Sequence, residues 1–226
     1  MSIRVIKILK LSLTLLIPIL IITTAVRVLV TDQYLAFEYR KGSFPPDPFG
    51  FTGQQRFELA SSNIHYVRAH LPNEALSGQT LNGSPVYNPR EVTHMTDVQA
   101  VFQAVLRVWQ GAFVLLLFLG FILWQNRQRM ALASAIQSGG FLTSGIILMI
   151  AMLAVFAWQT WFDLFHRFFF VRGSWLFSYS DTLIRLFPIK FWFDATLTVS
   201  ILSLAGGLWL AFIGWQGQRL LAKKQV

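Results

Sequence analysis

Two histidines stand near carboxylates at spacings that a helix would turn into neighbours. In EVTHMTDV, residues 91–98, His94 has Glu91 three positions before it and Asp97 three after; in WQTWFDLFHRFFF, residues 158–170, His166 follows Asp163 by three and Gln159 by seven. Residues three and four apart share one helix face. An imidazole whose second nitrogen is held by a carboxylate has a fixed tautomer and raised basicity, which is what a general base working near neutral pH requires. Taken singly, each histidine is more readily an interfacial residue satisfied by helix ends and water. Two of them brought to one depth would make a site.

The elements that must position them are membrane spans. The 226 residues are 54% hydrophobic and only 13% charged, and mean hydropathy is +0.53, values that belong with membrane proteins. Stretches of the roughly 20 apolar residues needed to cross a bilayer as helix fall at about Ile6 to Val30, Val101 to Trp124, Phe141 to Trp161 and Phe191 to Ile213. The expected architecture is therefore an all-α membrane protein, a bundle of four transmembrane helices. MSIRVIKILK resembles the basic leader of a signal peptide, but the apolar run behind it is long and TTAVRVLV lacks a small-residue cleavage pattern, so residues 1–30 are expected to be an uncleaved anchor.

Charge sets the orientation. Arg4, Lys7, Lys10, Arg127, Arg129, Arg219, Lys223 and Lys224 fall in segments without a single acid, whereas every Asp and Glu lies between 32 and 97 or between 163 and 194. Both termini and the 125–137 loop are expected to be cytoplasmic, and the net charge of +9 reports topology and attraction to anionic lipid rather than nucleic-acid binding. Residues 31–87 form an outward segment rich in Pro, Gly and Asn-Gly, in which RFELA and NIHYVRA alternate like strands; a small strand-containing extracytoplasmic cap is expected. Residues 88–226 carry helices 2 to 4, with an aromatic outer loop over 167–190.

In NPRE, Asn88 suits the N-cap of helix 2, Pro89 its first position and Glu91 the third position of a capping box. His94 is thereby placed on the first turns of that helix. The short connection between helices 2 and 3 makes them antiparallel neighbours. At 1.5 Å per residue, His94 stands about 45 Å from Trp124 and His166 about 38 Å from Phe141, so the two imidazoles can meet near the outer surface.

Other polar residues carry weaker signals. His65 and His70 have a helical ligand spacing in surroundings that look strand-like. Gln99, Gln103, Arg107 and Gln110 make a polar stripe turned away from His94. Asp194 suits the dipole at the start of helix 4, and Pro18 a kink in helix 1. There are no cysteines, which removes thiol nucleophiles, disulfides and thiolate metal sites. No GxSxG, HExxH or phosphate loop occurs.

EVTHMTDV, FHRFFF and GSWLFSYSDTLIRLFPIKFWFDA together resemble blocks of the lipoprotein intramolecular transacylase family, Lit. The topology is similar over most of the chain, and the resemblance is specific in those blocks. It implies that His94 and His166 are the catalytic pair. The implied reaction is transfer of the sn-2 acyl chain of an S-diacylglyceryl group to the α-amine of the same N-terminal cysteine, giving a lyso-form lipoprotein. It would occur at the outer face of the bacterial cytoplasmic membrane. The implied partners are a diacylated lipoprotein and membrane lipid; no cofactor or metal is called for, and no feature sets the oligomeric state. Nucleophile and ester lie in one substrate, so proximity can supply most of the rate without an acyl-enzyme. Within that scheme Asp163 is expected to support His166, Glu91 or Asp97 to support His94, Arg167, Arg172 and Arg185 to assist electrostatically, and Asp181 to order the loop. The two histidine roles are exchangeable. Two other classes draw on the same residues: a metal-dependent membrane lipid hydrolase, in which the imidazoles and nearby acids hold one ion, and a non-enzymatic protein that binds a lipid or partner.

Overall fold

The computed structural model describes residues 1–223; Lys224, counted above among the basic C-terminal residues, lies outside them. Among the described residues four helices are long and apolar enough to cross a membrane: α1 Ile3–Leu29, α5 Pro89–Gln125, α6 Arg129–Phe156 and α9 Ile189–Lys223. Between α1 and α5 come α2 Asp32–Tyr39, α3 Gly53–Ala69, α4 Glu74–Ser77, and a hairpin of β1 Thr80–Leu81 and β2 Ser84–Pro85; α7 Trp158–Phe169 and α8 Thr182–Leu186 lie between α6 and α9. The chain divides into two compact units.

The first unit holds Met1–Val26, Arg107–Met152 and the chain from Thr198. Leu13, Leu119, Leu123 and Ala135 form its buried cluster, joining α1, α5 and α6. The α6–α9 seam is built on small residues: a Cβ on Gly140 would run into the Gly207 carbonyl and the Ala211 backbone, and one on Gly214 into the backbone of Ala133 and Gln137. Such close backbone approach is how membrane helices gain packing where lipid supplies no hydrophobic drive. Gln218 donates to Gln137 at 2.6 Å along the same seam, and Trp109 to Thr24 at 2.8 Å between α5 and α1. Phe118, Met149, Ile201 and Trp209 are exposed, as side chains facing acyl chains would be. The expected 125–137 loop is shorter than its charges implied. Helix α6 starts at Arg129 because MALASAI is strongly helix-forming, leaving a tight reversal in which Gln128 N–H bonds Leu123 C=O and Arg127 takes φ 59°.

The second unit holds Arg27–Leu106 and Leu153–Leu197. Here RFELA and NIHYVRA are helix, not strand. Thr52 and Gln55 make a reciprocal capping box, and the buried positions Arg56, Ala60, Asn63, Ile64 and Val67 recur with helical period along α3. The short alternations were accidents inside a longer 3.6-residue pattern. Among the described residues strand is confined to the hairpin, paired Thr80 to Pro85 and Leu81 to Ser84; its Asn82-Gly83 turn has φ of 52° and 79°, the conformation that this dipeptide favours. Tyr34, Leu35, Ala60, Tyr66, Leu76 and Leu186 are among the buried residues that form its core. The third expected span does not run on to His166. It breaks at Ala157, where φ −143° and ψ 53° separate α6 from α7, so the distance reckoned from Phe141 does not apply.

Gly140→Val should open the α6–α9 seam. Overpacking of this kind costs about 1–3 kcal/mol, read as a lowered thermal midpoint in detergent, whereas Gly145→Val, where a Cβ meets nothing within 4 Å, should leave the midpoint unchanged.

Candidate active site

Helix α5 begins as its sequence dictates. Asn88 Oδ1 accepts from Glu91 N–H at 3.0 Å while Glu91 Oε2 accepts from Asn88 N–H at 2.8 Å, the reciprocal box expected of N-P-x-E. Glu91 is 1% exposed, and its Oε1 accepts from Leu183 N–H at 2.7 Å. One buried carboxylate thus joins the start of α5 to the start of α8. Asn88 Nδ2 reaches Asp181 Oδ1 at 3.2 Å, and Asp181 Oδ2 takes Ser178 N–H at 2.7 Å. Arg90 donates to the Leu176 carbonyl at 2.8 Å and lies over the Phe177 ring at 5.8 Å. These bonds fix residues 176–183 against the first turn of α5.

Phe177 of this segment, with Phe170 and Trp175 before it, packs on the histidines. His94 packs between Phe170 and Phe177, with ring centroids 5.0 and 5.4 Å away. His166 is buried on α7 among Phe162 at 4.0 Å, Trp175 at 5.3 Å and Phe170 at 5.6 Å. Phe170 therefore touches both imidazoles, and the pair expected from the sequence is brought together.

Their polar environments differ. His166 Nδ1 lies 2.7 Å from the Phe162 carbonyl. A carbonyl only accepts, so Nδ1 carries the proton and Nε2 presents its lone pair. Burial pushes the His166 pKa below the ordinary histidine value, opposed by the Phe162 carbonyl and the Asp163 charge; the ring is neutral, with a free base at Nε2. His94 Nδ1 is buried and has no hydrogen-bond partner among the described residues. Buried polar atoms are rarely left so.

The supporting residues divide. Asp163 pairs with Arg167 at 2.7 Å on the half-exposed side of α7 and acts on His166 only through its charge; the Phe162 carbonyl does the orienting expected of it. Neither Glu91 nor Asp97 bonds His94. Arg185 is engaged with the 47–51 segment: it grips Asp47 through Nε at 3.0 Å and a terminal nitrogen at 2.9 Å and stacks on Phe51. The Arg185 hydrogen bond holds the Asp47 carboxyl below the usual carboxylate range. This pairing is intact above the unfolded carboxylate pKa and is lost only as pH falls through the lowered folded value. Arg172 is exposed. His65 Nε2 sits 3.1 Å from Asp32 on helical α3, and His70 ends that helix with φ 54°. Gln99 and Gln103 donate to carbonyls at the end of α3, a packing role for that stripe. Asp194 is bound by Lys190 and Lys41.

A family model described as lipoprotein intramolecular transacylase Lit matches residues 11–192. The chain belongs to the Lit family. It is an acyltransferase and a multi-pass membrane protein. A protein of Aquifex aeolicus (strain VF5), described only as uncharacterized, is 29% identical over 96% of this chain and 98% of its own length. The solved structure of membrane-integral Lit from Bacillus cereus is similar in fold over 99% of both chains, with TM-score 0.79 and 18% identity. A variant of that protein with a histidine replaced by alanine gives 0.70 at 17% identity, over 98% of this chain and 96% of its own.

Three site components of this Lit-family chain escaped the sequence. Phe162 contributes a backbone oxygen, which no residue type advertises. Arg90 lay inside NPRE but was hidden by the capping signal. Phe170, Trp175 and Phe177 stood out only as aromatics at a membrane edge. Glu91→Gln should test the carboxylate: both of its oxygens face N–H donors, so an amide nitrogen in either place meets a donor. A loss of about 1–3 kcal/mol is expected for each buried group left unpaired, seen as a lower thermal midpoint together with reduced acyl transfer.

Proposed function

We propose that the chain moves the sn-2 acyl chain of an S-diacylglyceryl cysteine to the α-amine of that cysteine, with His94 and His166 as its catalytic residues. The observation that carries the reading is the pair itself: a buried and a half-buried imidazole on one phenylalanine, His166 with a free basic nitrogen and His94 with a buried nitrogen that has no partner among the described residues. In this scheme His166 Nε2 takes a proton from the amine as its nitrogen bonds to the ester carbonyl carbon. His94 offers a ring N–H to the oxyanion of the tetrahedral intermediate. The bond between that carbon and the sn-2 oxygen then breaks, the glycerol oxygen receives the proton from the His166 imidazolium, and an amide and a hydroxyl result. Protons balance without a cofactor. The aromatic wall excludes water that would hydrolyse the ester, and the basic, acid-free segments support a site at the outer face of a bacterial cytoplasmic membrane.

A metal-hydrolase reading has less support. Asp163 is engaged by Arg167 and Glu91 by backbone N–H groups, so neither is offered beside the imidazoles as a ligand.

Mass spectrometry of N-terminal lipopeptides from cells expressing the wild type, His94→Ala or His166→Ala tests the proposal. Wild type should convert diacylated substrate to the lyso form, and each variant should lose at least about 100-fold, the usual contribution of acid–base catalysis; chelator should change nothing. Absence of lyso product from wild type would end the proposal, and full activity in both variants would end the residue assignment. Because His166 acts as the neutral form, activity corrected for the fraction of free α-amine, whose own pKa is about 8, should persist as pH falls below about 6.5, the ordinary histidine pKa. Asp163→Asn removes a charge that favours the imidazolium, so the acid limb of the kcat/KM profile should move to still lower pH.

A further inference from the structure

The reaction at the histidines involves only the lipidated cysteine, yet a lipoprotein brings a polypeptide with it. A cavity of about 860 Å³ opens beside the start of α5, and neither His94 nor His166 lines it. Its size falls within the roughly 300–1,000 Å³ of pockets that enclose small ligands, the bulk of a few residues.

Three features relate this cavity to the site. It shares a wall with the histidines: Phe177 packs on His94, while Ser180 and Asp181, a few residues on, line the cavity, as do Glu91 and Val92 one turn before His94 on α5. It also lies in the right direction. Asn88 and Pro89 line it and precede His94 by five or six residues, about 8 Å along the helix axis, on the side away from the apolar stretch after Val101. A chain anchored by its lipid at the histidines leaves the bilayer that way. Finally, the charges in the wall are spent within the protein: Glu91 on backbone N–H groups, Asp181 on Ser178 and Asn88, and Arg185 on Asp47. What remains accessible is the exposed serines Ser77, Ser84 and Ser180, which can bond a peptide backbone without selecting side-chain charge.

We propose that this cavity is a peptide subsite that seats the residues following the lipidated cysteine of the substrate. The inference rests on the acyl-transfer reading and adds to it a source of binding energy remote from the reacting atoms. Such binding lets one site act on substrates that share the lipidated cysteine and differ in the sequence after it.

The test compares two synthetic S-diacylglyceryl substrates with the purified full-length protein in detergent: cysteine amide, and the same cysteine followed by four neutral residues. N-acylated product is measured by mass spectrometry. Wild type should favour the longer substrate about tenfold in kcat/KM, chiefly through KM. Ser84→Trp and, from another part of the wall, Ser77→Trp fill the cavity and should bring that ratio close to one. A ratio near one in wild type, or a tenfold ratio kept by both variants, overturns the subsite while leaving acyl transfer in place. Absence of product from both substrates overturns the acyl-transfer reading and the subsite with it.

Discussion

Much of the site depends on a single buried carboxylate. Glu91 bonds the N–H of Asn88 with one oxygen and that of Leu183 with the other, tying together two helix starts that lie 92 residues apart in sequence. A helix N-terminus leaves several N–H groups without partners, and here two such ends are satisfied by the same side chain. Asn88 extends the arrangement to Asp181, and Arg90 extends it to the Leu176 carbonyl and the Phe177 ring. Phe177, which packs on His94, is thereby held by bonds that begin in the first turn of α5, just before His94 on the same helix. Position and cover come from one local structure.

The two imidazoles are made unequal by their surroundings rather than by their type. His166 is oriented by a carbonyl one turn back on its own helix, a partner that cannot take its proton and leaves Nε2 basic. His94 is packed by rings and has a nitrogen with no partner among the described residues. Acyl migration from oxygen to nitrogen needs one group that accepts a proton and another that stabilises developing charge. A covalent acyl-enzyme would add a nucleophile for which the sequence offers no thiol and no serine motif.

The parts of this arrangement that were legible in the sequence are those written in contiguous residues. Four spans follow from apolar length, and the cap at Asn88 and Glu91 follows from N-P-x-E, so the sequence alone places His94 on a helix. RFELA and NIHYVRA alternate like strands only as separate short windows, while the buried positions of α3 run across both with helical period. The break at Ala157 has neither Pro nor Gly to announce it; it separates an apolar helix from one in which Asp163 and Arg167 occupy the polar side. Arg185 was expected near the chemistry, but its partner Asp47 lies 138 residues away, a pairing that only the fold makes. The orienting oxygen of Phe162 belongs to the backbone, and a search over side-chain types passes over it.

The central claim is that the acyl chain passes directly from oxygen to nitrogen within one substrate molecule held at His94 and His166. A crossover experiment addresses this most directly: two diacylated lipopeptides of different mass, one with a deuterated sn-2 chain, are incubated together with the purified protein, and the N-acyl products are analysed by mass spectrometry. The deuterated chain should appear only on the amine of the peptide that carried it. Deuterated acyl chain on the other peptide would contradict direct intramolecular transfer.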